Sequence, residues 1–221
     1  MNLELMFNIL LNLINEMTVM ITVIAILVSS LDYFKEVVVD EKFTYKNQII
    51  MIIIFGTFSI FGSYSGTKLE SGAIANLRDI GPLVAGLLGG PVIGFGAGLI
   101  GGIVRYFGGG FTALPCAIAT ISAGLIGGLF YNFNDKKFIG PQKAILIAVL
   151  VELYHMGITL ILAKPFSEAL EVVKILIIPM IFSNSMGVGI FSVIIGSLIQ
   201  DKQKIKHLEE ELENIASEEK I

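Results

Sequence analysis

Two arginines, Arg78 and Arg105, are the side chains in this sequence best suited to binding chemistry. They flank an apolar stretch, Ile80 to Val104, that contains no Asp, Glu, Lys or Arg. A guanidinium at membrane depth is costly unless it is paired or hydrated, and its planar fork matches a carboxylate in two parallel hydrogen bonds. We therefore predict that the two arginines share a pocket for a small carboxylate. The alternative is that each side chain extends to lipid headgroups.

The helix predicted after Phe111 offers a second set of candidates. One narrow, weakly polar face repeats at intervals of three or four residues and comprises Thr112, Cys116, Ala119, Thr120 and Ala123. A single cysteine excludes a disulfide within the chain, and a lone Cys116 is more often a small buried hydrophobic residue than a ligand contact. The two histidines, His155 and His207, are too few and too far apart to form a metal site of their own, and no cofactor is expected.

Three further groups of polar residues lie in apolar surroundings. Asn76 precedes Arg78, Asn184 lies one turn beyond Pro179, and Glu152 and His155 share a helix face. Intramembrane polar groups are functional candidates by default, although hydrogen bonding between helices explains them equally well. We include Asn76 and Asn184 among the ligand-binding candidates.

The spacing also predicts the charge of the empty pocket. If Asp79 stays near Arg78, the pocket holds two positive charges and one negative charge. A monocarboxylate would then bring it to neutrality.

The composition indicates an integral membrane protein. Hydrophobic residues make up 54% of the 221 positions, mean hydropathy is +0.81 and only 15% of residues are charged, well below the roughly 25% of a soluble domain. A lipid bilayer is therefore the expected surrounding, and no nucleic-acid partner is suggested.

The apolar segments predict an all-α polytopic bundle of about six to seven segments. The region 80–106 is divided by Gly89-Gly90-Pro91, which marks a turn, so we predict a Gly-rich hairpin of two short helices. Glycines four residues apart, from Gly86 to Gly102, have the spacing of a helix-packing face. The predicted segments are 5–31, 49–66, 73–89, 92–106, 111–131, 141–163 and 172–199, with a kink at Pro179 in the last.

Lysines in the short connections predict the orientation. They cluster in the loop 32–46, the loop 132–143 and the start of the tail, and seven segments place all three on one side, which the positive-inside rule assigns to the cytoplasm. The N-terminus is then outside, the C-terminus cytoplasmic, and both arginines lie near the outer face.

The sequence becomes rich in charged residues after residue 199. Apolar residues recur at sevens, threes and fours, as in a coiled-coil seam of about two heptads, at Leu198, Ile205, Leu208, Leu212 and Ile215. The alternative is a solvated helix that pairs with nothing. We expect a transmembrane sensor domain over 1–199 and a cytoplasmic signalling helix over 200–221, with a homodimer formed through the seam and an output domain beyond it. No catalytic constellation is visible, and the chain is not expected to be an enzyme.

The motifs resemble a known family. Asn76-Leu77-Arg78, the run Gly86 to Pro91, Gly101-Gly102-Ile103-Val104-Arg105-Tyr106 and Gly109 to Ala113 are similar to the LytS/YhcK-type sensor region, over roughly residues 5–205.

This resemblance implies a sensory domain of the plasma membrane that binds a small extracellular carboxylate such as pyruvate. It passes the signal to a cytoplasmic histidine kinase or similar output module, with a response regulator downstream. In the family two arginines and a Cys-x-x-Ser face line the ligand site. By position these are Arg78, Arg105 and Cys116, but the Ser position is Ala119 here, with Thr120 one residue on.

A second resemblance supplies an alternative function. The apolar segments are similar to the membrane subunits that capture substrates for energy-coupling-factor transporters. A transport subunit needs a surface for a coupling protein and no coiled coil, so the tail favours the receptor.

Overall fold

The backbone of residues 3–30 and 43–218 is described by a computed structural model. Seven helices and one pair of short strands make up this part of the chain. In order they are α1 Leu3–Ser30, α2 Tyr45–Ser65, β1 Thr67–Lys68, β2 Ile74–Ala75, α3 Ile80–Gly89, α4 Pro91–Phe107, α5 Ala113–Phe133, α6 Pro141–Leu162 and α7 Phe166–Glu218. Most of the predicted loop 32–46, with its lysines at 35 and 42, lies outside the described residues.

The helices confirm an all-α polytopic membrane protein. Five of them, α1, α2, α5, α6 and α7, are long and apolar enough to cross a bilayer, and α3 and α4 are shorter apolar helices. Together they account for the seven segments predicted from hydropathy.

The Gly-rich stretch forms the predicted hairpin of α3 and α4. Gly90 turns the chain with φ 86°, a conformation that glycine adopts without the steric cost of a Cβ, and Pro91 begins α4 at the position where proline is favoured. The hairpin packs on α5, since a Cβ on Gly86 or Gly94 would collide with the carbonyl oxygen of Gly124. The glycines are therefore needed for close approach of the backbones.

The start of the hairpin differs from the prediction. A helix was expected from residue 73, but α3 begins at Ile80, and β1 and β2 pair antiparallel ahead of it. The side chain of Asn76 donates to the carbonyl of Ile74 and accepts from the amide of Arg78. Such local side-chain bonds compete with helix formation, so Arg78 and Asp79 lie in a buried turn.

The last helix, α7, is longer than the predicted span 172–199. It runs from Phe166 without interruption through Pro179 and into the tail. The kink at Pro179 stays a prediction. Of the seam residues, Leu198 packs against the hydrophobic core, whereas the remaining four, Ile205, Leu208, Leu212 and Ile215, are exposed.

Candidate ligand-binding site

Arg78 is fully buried and has an open guanidinium fork. Its Nε donates to Thr120 Oγ1 at 2.7 Å and lies 3.7 Å from Asp79 Oδ1. Both terminal nitrogens are buried without a hydrogen-bond partner among the described residues. A buried donor left unpaired is expensive, so this pair of nitrogens is the strongest candidate for contact with an anion.

Arg105, at the end of α4, is also buried but is held by the protein on two sides. Nη1 donates to the carbonyl of Gly109 at 2.6 Å, and Nη2 donates to Thr112 Oγ1 at 2.9 Å. Its Nε is buried and lacks a hydrogen-bond partner within the described ranges. The two arginines thus differ: Arg78 presents two free terminal nitrogens, whereas Arg105 is anchored in the α4–α5 connection.

The predicted face of α5 points into the same region. Thr120 Oγ1 accepts the bond from Arg78 and lies 2.6 Å from Asp79 Oδ1, to which its hydroxyl can donate. Cys116 lies beside His155 and near both arginines, and Ala119 is fully buried. The hydroxyl that the sequence places one residue after Ala119 therefore reaches Arg78 in the structure.

The two candidate asparagines support the site from outside. Asn76 shapes the turn that carries Arg78, and Asn184 Nδ2 donates to the backbone carbonyl of Asn76 at 3.2 Å and to that of Met180 at 3.1 Å. These bonds tie the arginine turn to α7. Both amides position the turn, and neither is shown as a ligand contact.

A second buried cluster, not predicted as such, adjoins the arginines. His155 Nδ1 lies 2.9 Å from Asp79 Oδ2 and 3.8 Å from Glu152 Oε2. The shared face of Glu152 and His155 follows from their spacing on α6, but their contact with Asp79 is a long-range one that spacing does not reveal. The predicted charge count omitted Glu152 and His155 and is corrected by them.

The site lies inside the helical bundle rather than at the ends of its helices. Thr120 comes seven residues after the start of α5, and His155 seven residues before the end of α6, which at 1.5 Å per residue places both about 10 Å inside these helix ends.

A small cavity adjoins the site. Its free volume is about 10 Å³, room for about one water molecule, and it lies between Thr112, Cys116 and His155 on one side and α7 on the other. The α7 wall consists of Val172, Val173, Leu176 and Met180. A small organic acid is larger than this space.

A larger cavity of about 620 Å³ lies next to it, between the start of α1, the strand pair and the start of α7. Val172 lines both cavities.

Glu16 of α1 is buried near the arginine turn. Its Oε1 accepts a hydrogen bond from Ser65 Oγ at 2.6 Å. This hydrogen bond joins α1 to the end of α2.

Comparison with known proteins identifies the family. The family model described as "5TMR of 5TMR-LYT" matches residues 31–198. The sensor protein LytS of Bacillus subtilis is 35% identical over 182 residues, covering 75% of this chain and 31% of the relative. The sensor histidine kinase BtsS of Escherichia coli K12 is 37% identical over 192 residues, covering 84% and 33%. LytS of Bacillus cereus is 31% identical over 222 residues, covering 92% and 37%.

The chain spans about a third of the length of these relatives. No solved structure matches it. The match to the family model covers most of the chain and includes both arginines, the α3–α4 hairpin and the first part of α7. The protein therefore belongs to the 5TMR-LYT family and is a multi-pass membrane sensor domain of the kind found in LytS and BtsS.

Proposed function

We propose that this domain binds a small extracellular carboxylate such as pyruvate and passes the signal to a cytoplasmic histidine kinase or similar output module. The observation that carries the proposal is the open fork of Arg78, whose two terminal nitrogens are buried and lack a hydrogen-bond partner among the described residues. Two parallel N–H groups at fixed spacing fit the two oxygens of a carboxylate. Arg105 adds a second positive charge nearby.

The guest site extends from the arginines toward the small cavity beside α7. Cys116 and Thr112 lie between the two, and Ala119 and Thr120 are on the same helix. A carboxylate on Arg78 would direct its small organic group toward Cys116. The remaining volume has to come from movement of the α7 wall.

Movement of α7 supplies the route for the signal. The helix that lines the cavity at Val172 to Met180 is the same one that continues into the tail. A ligand shifts a conformational equilibrium only by binding one state better than the other. A guest that fits only when α7 has moved would satisfy this condition. A continuous helix from cavity to tail also favours a receptor over a substrate-capturing transport subunit.

The proposal is tested by calorimetry and thermal shift on the purified chain in detergent, with pyruvate, acetate and succinate as probes. Arg78→Ala should abolish binding. Arg78→Lys keeps the charge without the fork and should weaken binding by at least about tenfold. Lys174→Ala removes an exposed cation paired with Glu171 and should leave affinity unchanged. Equal affinity in the wild type and in both Arg78 variants would refute the proposed site.

A further inference from the structure

The cluster of Asp79, Glu152 and His155 contains a buried carboxylate, that of Glu152, whose two oxygens have no hydrogen-bond partner among the described residues. One ligand atom from each residue lies within 4.8 Å of the others, and all three residues are buried. Asp79 Oδ2 and His155 Nδ1 contact each other. Burying an ionised carboxylate without hydrogen-bond partners is unfavourable, so Glu152 carries the least compensated negative charge of the cluster.

The contact between His155 and Asp79 does not supply what is lacking. Nδ1 and Oδ2 are 2.9 Å apart and pair with each other, which leaves both oxygens of Glu152 without a hydrogen-bond partner among the described residues. Glu152 Oε2 is 3.8 Å from the same nitrogen. Three groups that can each exchange a proton therefore converge on one small volume.

Each element packed around the cluster contributes to its charge. The turn before α3 supplies Arg78 and Asp79, α4 supplies Arg105, α5 supplies the Cys116 thiol, and α6 supplies Glu152 and His155. From α7 comes the uncharged Asn184. Glu16 of α1 lies near Arg78 and is hydrogen-bonded to Ser65. If it is ionised, it adds one negative charge to the pocket.

The sum of these charges decides how an anion can enter. With imidazole, thiol and the Glu16 carboxyl group all neutral, two guanidinium groups balance the carboxylates of Asp79 and Glu152. A carboxylate guest would then add an uncompensated negative charge to a buried site, where charges interact strongly. One proton on the cluster gives the empty pocket a net positive charge and makes the occupied pocket neutral.

We propose that Asp79, Glu152 and His155 form a proton-binding site that takes up one proton together with the carboxylate, an inference that rests on the proposed function. The proton is shared among the three groups in the volume where His155 Nδ1 and the carboxylate oxygens of Asp79 and Glu152 converge. The pocket is thus specific for a carboxylate plus a proton.

A divalent cation fits this volume less well. With both guanidinium groups counted, it would leave the pocket with a net charge of +2, and Asp79 already lies 3.7 Å from Arg78. Repulsion between the ion and the guanidinium groups opposes such a site.

The sign of the pH dependence follows directly. The protonated cluster attracts the guest and the deprotonated cluster does not, so affinity is highest at low pH. It falls as pH rises through the titration of the cluster, by up to about tenfold per pH unit for one coupled proton. By linkage, the bound carboxylate raises the affinity of the cluster for the proton by the same factor.

The test is calorimetric titration of pyruvate into the whole chain in detergent, with EDTA present, from about pH 6 to about pH 8.5. At each pH the titration is repeated in buffers of different ionisation enthalpy, which gives the number of protons taken up. We expect that number to rise from near zero to near one with increasing pH while affinity falls. Glu152→Gln removes one negative charge, so its affinity should change little with pH and its proton uptake should disappear. Glu171→Gln makes the same change at an exposed position of α7 and should behave as the wild type.

Each contrary result has a distinct meaning. Pyruvate binding without proton exchange at any pH would overturn the proton site and leave the carboxylate receptor standing, and this holds even if Glu152→Gln does not fold. Binding that requires added Zn²⁺ in place of EDTA would overturn the proton in favour of a metal. No binding of pyruvate, acetate or succinate at any pH would remove the proposed function itself.

Discussion

Thr120 is the residue that holds the two charged parts of the site together. Its hydroxyl accepts from Arg78 and reaches Asp79, and it is fully buried. Thr120→Val keeps the shape and removes the hydroxyl, leaving a buried guanidinium nitrogen and a carboxylate oxygen each without this partner. A loss of about 1–3 kcal/mol in stability is expected.

Thermal unfolding in detergent measures this loss. Thr57→Val provides the matched control, since Thr57 is exposed on α2 and bonds only its own helix, at the carbonyl of Ile53. Thr120→Ser should stay close to the wild type because it keeps the hydroxyl. If Thr120→Val melts at the wild-type temperature, Thr120 does not bridge the two charges.

At the residue scale the sequence indicates which side chains matter better than it indicates their partners. Arg78 and Arg105 stand out because they are isolated charges in an apolar region, and the structure buries both. The contact of Asp79 with His155 joins residues far apart in the chain and has no local signal. Thr120 belongs to the face predicted from its spacing, but its bonds with Arg78 and Asp79 join residues about forty positions apart and have no local signal.

Among the elements, the α3–α4 hairpin depends on glycine at its contact with α5. Gly94→Ala would place a Cβ against the carbonyl oxygen of Gly124 and the backbone of Gly86. Backbone atoms cannot move aside as side chains do, so the helices must separate and lose packing, and overpacking of this kind costs typically 1–3 kcal/mol or more. We expect Gly94→Ala to unfold at a clearly lower temperature and to bind carboxylate weakly.

Gly157→Ala is the control for this substitution. Gly157 lies inside α6, and a Cβ there meets no atom within 4 Å. Alanine favours helix over glycine by roughly 0.5–1 kcal/mol, so this variant should be neutral or slightly more stable. Equal destabilisation of both variants would show that glycine flexibility, not close packing, is what the hairpin needs.

The hairpin also shows which features of the fold the sequence pattern predicts and which it does not. Glycines four residues apart and Gly90-Pro91 predict two short packed helices, because small residues and a turn are local signals. The wrong start of α3 comes from Asn76, whose side chain bonds two neighbouring backbone groups and so holds the turn open. Helical periodicity alone does not reveal this competition between side-chain hydrogen bonds and helix formation.

At the scale of the whole molecule, α7 connects the site to the tail. It lines the small cavity, carries the Asn184 bond to the arginine turn, and continues without a break to Glu218. A change at the site can therefore reach the tail through one continuous helix. Its exposed apolar residues there, Ile205, Leu208, Leu212 and Ile215, follow the heptad spacing predicted from the sequence.

These four residues are expected to pair with the same residues of a second copy. Burying exposed Leu and Ile side chains is favourable, and apolar positions three and four apart are buried in a coiled coil. Leu212→Lys places a charge in the seam and should convert a dimer to a monomer, as measured by chemical crosslinking and by mass photometry in detergent. Glu210→Lys adds the same side chain two residues earlier on the outward face and should leave the dimer intact. A dimer that survives Leu212→Lys combined with Leu208→Lys would be held by the membrane helices instead, and the route from α7 to an output module would then not run through the seam.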